Sequence, residues 1–312
     1  MRIIFLGTPA FAVPTLSAIV AAGHEVAAVF TQPDRPKGRG NTITVSPVKA
    51  AAGEFGLAVH QPERIRRPES VQLLASLKAE LMVVVGYGQI IPQTIIDLPR
   101  HGILNVHASL LPKYRGAAPI QWAIGNGEKE TGVTIMQIDA GLDTGDMLLR
   151  ERLSIEPDEI AEELSARLAP LGASLLVETI RLIEQGKVRR EKQNDTEATY
   201  APILKKEDGL IDWSRRALEI KNRMRGFQPW PGAYTSFRGQ QLNILRAAVA
   251  GAQGFREPGI LWPEKRQLFA ACGLATSLEI LELQLAGKKR MSADAFLNGY
   301  QLSAIERLGE QE

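Results

Sequence analysis

The sequence predicts an α/β chain: a doubly wound, mostly parallel sheet followed by a smaller β domain. Three observations carry this reading. Short apolar runs alternate with helical stretches through the first half, a pattern that builds parallel sheets. From Gly186 the chain turns polar and loses apolar periodicity, which marks a boundary. Beyond residue 206 come short β-like runs separated by Gly and Pro.

The elements follow in order. Ile3 to Leu6 reads as a buried strand, Gly7-Thr8-Pro9 as its turn, Phe11 to Ala22 as a helix and Val26 to Phe30 as the next strand. Gly7 alone is not G-x-G-x-x-G, so a nicotinamide dehydrogenase is the weaker reading. The Pro- and Gly-rich stretch from Gln32 to Asn41 is a loop carrying Arg35, Lys37 and Arg39. Those cations are either solvated or a phosphate-seeking arm. Pro47 to Phe55 is expected to be helical, Leu57 to His60 a strand, Val71 to Ala79 an amphipathic helix and Leu81 to Val85 a buried strand. That strand ends in Gly86-Tyr87-Gly88, either a plain turn or a place where backbone approaches a ligand. Thr94 to Leu98 reads as a short helical turn. A helix is expected from Pro119 to about Ile124, strands over Thr131–Ile138 and Met147–Leu153, and a long helix over Asp158–Glu184 with a kink at Pro170.

Bulk properties exclude several classes. The 312 residues are 45% hydrophobic, enough for a real core. Cys272 is the single cysteine, so an intramolecular disulfide and a four-cysteine zinc site are excluded. The apolar run at Met1 is too short for a signal peptide, and no segment is long enough to span a membrane, so a cytoplasmic setting is expected. Net charge is only +2, so nucleic-acid binding rests on local clusters.

The chain is organised around Ile103 to Asp146. Ile103 to Val106 reads as a buried strand, and Asn105 and His107, two apart, share one face of it. Pro112 cannot continue a ladder, and the carboxyl end of a strand is where such sheets build sites. Asn supplies an amide donor for an oxyanion, and His donates or holds a proton near neutral pH. A carboxylate partner comes from Asp139, Asp143 or Asp146, in a Gly-punctuated turn whose spacing does not fit a calcium loop. A lone His after a strand is usually structural, and an Asp beside Gly is usually a turn residue. Both plain readings stay open on the residues alone.

The run Asn105-Val106-His107-Ala108-Ser109-Leu110-Leu111-Pro112-Lys113-Tyr114-Arg115-Gly116-Ala117-Ala118-Pro119-Ile120 resembles the folate-dependent formyltransferases. So do Gly132-Val133-Thr134-Ile135-Met136 and Asp143-Thr144-Gly145-Asp146, the first strand with Gly7-Thr8-Pro9, the loop from Thr31 to Lys49, and Ile211-Asp212-Trp213 through Trp230-Pro231. The resemblance covers nearly the whole chain and departs at Ala108 and Tyr114, where more Gly-like and Trp-like residues are expected. It is closest to the members that act on charged tRNA.

The resemblance implies a Rossmann-like formyltransferase domain over residues 1–189, a linker over 190–206 and an OB-like tRNA-binding barrel over 207–312. It implies transfer of the formyl group of 10-formyltetrahydrofolate to the α-amino group of methionine on initiator methionyl-tRNA, without a metal, by a monomer. Asn105, His107 and Asp143 are then catalytic. Ser109, Leu110, Leu111 and Pro112, with Tyr87 and Gly88, line the folate side. Arg35, Lys37, Arg39, Lys205, Lys206, Arg223, Lys288, Lys289 and Arg290 are candidates for tRNA contacts. Lys205 and Lys206 are equally readable as solvated. Three other functions are compatible with parts of the sequence. A formyltransferase for another acceptor shares the core but does not explain the Ile211–Pro231 match. A formyltetrahydrofolate hydrolase needs neither basic loop nor added domain. A non-enzymatic RNA-binding module leaves Asn105, His107 and Asp143 idle.

Overall fold

Leu81–Val85 is apolar at every position and β-branched at three of them, which suits a strand covered on both faces. It is buried throughout and lies at the centre of the first sheet. The computed structural model describes residues 1–37, 42–251, 254–303 and 306–309. The described chain divides into two units: residues 1–119, 130–154 and 163–202, and residues 120–129, 155–162 and 203–312.

In the first unit the strands are β1 (Arg2–Gly7), β2 (Glu25–Phe30), the short pair β3 (Arg35–Lys37) and β4 (Thr42–Thr44), β5 (Val59–His60), β6 (Leu81–Val85), β7 (Ile103–His107), β8 (Glu130–Gln137) and β9 (Met147–Ser154). The main sheet runs β5-β2-β1-β6-β7-β8-β9. Its first five strands are parallel, and β8 and β9 are antiparallel additions. From β1 the chain winds outward to β2 and β5, then returns to β6 on the other side. That reversal opens a crevice at the carboxyl ends of β1 and β6, where open α/β sheets bind ligands.

The helices of this unit are α1 (Val13–Ala21), α2 (Pro47–Glu54), α3 (Pro68–Ser76) and α4 (Gln93–Ile96). α3 begins three residues before the expected Val71, because Pro68 sits at its first turn, where the missing N–H costs nothing. α5 (Pro119–Gly125) follows the motif, and α6 (Ala161–Glu184) is a 24-residue helix with Pro170 inside it. Gly172 of α6 lets the helix lie close to the sheet, since a Cβ there would stand 2.7 Å from Val106 Cγ1. Val106 therefore faces α6, and Asn105 and His107 face the opposite way.

The second unit contains α7 (Ala217–Gly226), β10 (Tyr234–Phe237), β11 (Gln240–Val249), β12 (Ile260–Glu264), β13 (Gln267–Cys272), β14 (Thr276–Leu285), β15 (Met291–Ser292), α8 (Ala293–Gly299) and β16 (Glu306–Arg307). The sheet is antiparallel, ordered β10-β11-β14-β13-β12-β16, with β15 added to β14. Gly309 N donates to Ser236 O at 3.0 Å and joins the two ends of the sheet, giving the expected barrel-like form. Trp213, Met224, Phe237, Leu268, Leu283 and Phe296 fill it.

Candidate active site

The antiparallel register sets a geometric problem that the turn after β8 solves. Leu104 is opposite Gln137 and His107 opposite Thr134, so β8 ends beside the start of β7. Residues 138–146 must fold back for a side chain from the turn to reach His107. Asp143 is the one that arrives, with a left-handed backbone at φ 53°. Its Oδ2 lies 3.7 Å from His107 Nδ1 and accepts from Gly116 N at 2.9 Å. Its Oδ1 accepts from Asn105 Nδ2 at 3.4 Å. Asp139 is spent on the turn itself, accepting from Gly141 N at 3.0 Å and Thr144 Oγ1 at 2.7 Å. Asp146 uses its carbonyl to accept from Gln137 N at 2.8 Å.

His107 is 5% exposed, so its ring is held by protein rather than water. Nε2 lies 3.0 Å from the Tyr114 carbonyl. A carbonyl only accepts, so Nε2 carries the hydrogen and Nδ1 faces the Asp143 carboxylate. Tyr114 reaches back because the chain from Ser109 to Gly116 curls over the end of β7. Ser109 Oγ donates to Lys113 O at 2.6 Å, and Thr134 Oγ1 donates to Ser109 O at 2.7 Å. The Leu111–Pro112 peptide is cis. Gly116 has φ 123°, and a Cβ there would stand 2.6 Å from Ala201 O. Only glycine fits between the motif loop and the segment beside it.

The candidate folate-lining residues offer mainly their main chain. The Ser109 hydroxyl is committed to Lys113 O, Leu111 packs with Met136 and Met147, and Tyr87 lies with its ring in the core beside Ile4, Phe30 and Ile95. The Tyr87 hydroxyl is buried without a hydrogen-bond partner among the described residues, and burial pushes its pKa upward. The Tyr87 carbonyl accepts from Thr8 Oγ1 at 3.2 Å and Gln32 Nε2 at 3.0 Å. Gly88, at φ 82°, is exposed, as is Gly86 at φ 56°. Leu110 is half-buried and Pro112 buried.

The candidate tRNA contacts fall into different surroundings. Arg35 is exposed on β3, Lys37 ends that strand, and Arg39 lies outside the described residues. In the second unit Lys205, Lys206, Lys288 and Lys289 are exposed. Arg290 Nη2 pairs with Glu282 Oε2 at 2.5 Å, and the same carboxylate meets Arg246 at 3.5 Å. Arg223 is half-buried, its guanidinium 5.4 Å from the Trp122 ring centre and 4.8 Å from that of Phe227. Among the described residues no group of three or more His, Cys, Asp or Glu is gathered to hold a metal ion. Among the described residues no helix is long and apolar enough to cross a membrane.

Residues 1–180 match the formyl transferase family, and residues 203–301 match the formyl transferase C-terminal domain. The chain belongs to the formyl transferase family. A methionyl-tRNA formyltransferase of Solibacter usitatus is 60% identical over 310 residues, covering 99% of both chains. One from Geobacter sulfurreducens is 53% identical, covering 99% of this chain and 97% of its own. Among solved structures, the sugar 3N-formyl transferase WlaRD, determined with dTDP and 5-N-formyl-THF, is similar at TM-score 0.66 and 20% identity, over 93% of this chain and 99% of that one. HypX of Aquifex aeolicus, in complex with tetrahydrofolic acid, gives TM-score 0.62 at 15% identity, over 98% of this chain and 50% of that one. At those identities the likeness is one of fold.

One residue close to this family site, Gln193, has no motif that announces it. Gln193 donates to the main chain of the Asp143 turn, and Arg115 donates to Gln193. Arg115 stands inside the motif and is 3% exposed.

Proposed function

We propose that this chain transfers the formyl group of 10-formyltetrahydrofolate to the α-amino group of methionine on initiator methionyl-tRNA, acting as a cytoplasmic monomer in translation initiation. The observation that carries the reading is the meeting of Asn105, His107 and Asp143 at one point, in a chain whose full-length relatives at 50–60% identity are methionyl-tRNA formyltransferases. The exposed glycines 86 and 88 and the motif main chain fit a flat heterocycle that needs backbone donors and acceptors rather than charge.

The donor supplies an electrophilic formyl carbon bound to nitrogen. Asn105 has two amide hydrogens, and Asp143 takes one through a long 3.4 Å contact. The other is offered to the formyl oxygen as negative charge builds there during attack by the amine. His107, held by Tyr114 O, stands with its Nδ1 toward Asp143 beside that oxygen. Asp143 pairs with His107 and helps take the proton that the amine loses. A new C–N bond forms to the methionine nitrogen, the formyl carbon's bond to the folate nitrogen breaks, and the proton passes to that nitrogen. Arg35, Lys37 and Arg39 are assigned to the acceptor arm of the tRNA. Lys205, Lys206, Arg223, Lys288, Lys289 and Arg290 are assigned to its phosphates. Formyl transfer is assigned to the domain of 1–189 together with residues 190–202, which group with it, and tRNA binding to that of 207–312.

An acceptor panel tests the reading. Purified protein with 10-formyltetrahydrofolate is given charged tRNA, an amino-sugar nucleotide, or water alone. Formyl-methionine on tRNA, with little formate release, is expected. Formate release unaffected by tRNA, or formylation of the sugar alone, contradicts it.

A further inference from the structure

We infer that Gln193 is a positioning residue for the reaction. It holds the main chain of Asp143 in the conformation that presents the carboxylate to His107, and Arg115 locks the Gln193 amide in place. The inference rests on the proposed roles of Asn105, His107 and Asp143.

Asp143 adopts φ 53°, a left-handed conformation uncommon for a residue with a side chain. Something must hold it there while the turn folds back over the sheet. Gln193 Nε2 donates to the carbonyl of Asp143 at 2.8 Å and to that of Gly145 at 2.8 Å. The two amide hydrogens thus pin both ends of a three-residue segment. Gln193 Oε1 accepts from Arg115 Nε at 3.0 Å and Nη2 at 2.8 Å. Turning the amide over would set its NH2 against a guanidinium and its oxygen against two carbonyls. A single orientation therefore satisfies all four contacts.

Arg115 is itself fixed. It is 3% exposed, and Nη2 also reaches Asp195 Oδ1 at 2.8 Å. The next residue, Gly116, donates its N–H to Asp143 Oδ2 at 2.9 Å. The pair Arg115–Gly116 thereby grips Asp143 twice, at the carboxylate directly and at the main chain through Gln193. The segment containing Gln193 is anchored to the motif in turn: Arg115 N donates to Thr199 O at 2.8 Å, Ala201 N to Arg115 O at 2.7 Å, and Tyr114 N to Thr199 Oγ1 at 2.9 Å. This strap joins the two pieces of chain that build the site. Gln193 is half-buried and belongs to no apolar cluster, so its removal leaves the core volume unchanged.

The test is steady-state formylation by full-length Gln193→Ala, Gln193→Glu, Asp143→Asn and the double variant Asp143→Asn/Gln193→Ala, with circular dichroism of each. Gln193→Ala is expected to lower kcat by about 10- to 100-fold, as orienting partners of reactive groups do, with both KM values within about threefold. Gln193→Glu keeps length and the acceptor for Arg115 but sets an oxygen against two carbonyls, so its loss is expected to be at least as large. The double variant is expected to be no slower than Asp143→Asn alone, because both changes act through one carboxylate. The acid limb of the pH–rate profile is expected to move in Gln193→Ala, which a purely structural role would not cause. Near wild-type kcat in both Gln193 variants beside an impaired Asp143→Asn overturns the positioning role alone. So do independent, multiplicative losses in the double variant, or losses that track lost fold. Full activity of Asp143→Asn overturns the role given to Asp143, and this inference with it.

Discussion

Asp143 Oδ2 stands 3.7 Å from His107 Nδ1, while Nε2 of the same ring is 3.0 Å from the Tyr114 carbonyl. The Asp143 carboxylate and the His107 ring thus face each other at the end of β7. Asp139, four residues earlier, closes its own turn instead.

Asp143→Asn keeps the shape but removes the charge, and activity is expected to fall by roughly 100-fold or more. Asp139→Asn is expected to change it by less than about fivefold, since the lost contacts lie within an exposed turn. Initial rates of formylation for the two variants decide this. Equal losses would place the carboxylate role elsewhere in the turn.

The Asp143 contact was legible in the sequence as a choice among three aspartates. The choice could not be made from spacing, because register and a left-handed backbone settle which one returns to β7. The parallel core was legible because Ile3–Leu6 and Leu81–Val85 are continuous apolar runs and Ile103–Val106 is apolar but for Asn105. The strap was not. Gln193 sits in a polar stretch with no periodicity, and a side chain that donates to carbonyls 48 and 50 residues away leaves no local mark. Nor did sequence separate residues 120–129 and 155–162 from their neighbours, although they group with the second unit. That grouping follows from packing, such as Trp122 against Phe227 at 5.1 Å, which no short-range pattern encodes.

The Glu306 carboxylate should make the second unit sensitive to acid. Arg238, at 3.1 and 2.7 Å from its two oxygens, holds it below the usual carboxylate range against the effect of burial, with help from Ser303. A folded pKa below the unfolded one stabilises the fold above about pH 4.3, and the gain is lost as pH falls through the lower, folded value. Glu306→Gln is therefore expected to lower the melting temperature at pH 7 by roughly 4 °C, for a loss of about 1 kcal/mol. The difference from wild type should close in acid. A gap that persists unchanged to low pH would assign the effect to packing.

Cys272 is 1% exposed, and burial pushes its thiol up to about 12. It is expected to ignore thiol reagents in the native protein and to react fully in denaturant. Its labelling rate then reports opening of the barrel. Rapid modification under native conditions would show that the strand β13 is not closed in solution.

Lys288 and Lys289 are exposed, whereas Arg290 is already paired with Glu282. Replacing both lysines by alanine is expected to weaken binding of charged tRNA. Each lost phosphate contact reduces the slope of log K against log salt by about 0.7 to 0.9. Arg290→Ala should change the slope less. Binding across a salt series measures both, and an unchanged slope in the double lysine variant would leave that turn to solvent.

The central claim is that Asn105 and His107 act on the formyl group as it is transferred to methionyl-tRNA. Single-turnover formylation, with enzyme in excess and 10-formyltetrahydrofolate saturating, tests it without product release in the way. Asn105→Ala and His107→Ala are each expected to slow the transfer step by about 100- to 1,000-fold, with the circular dichroism spectrum unchanged. A transfer rate near that of wild type in either folded variant would contradict the account.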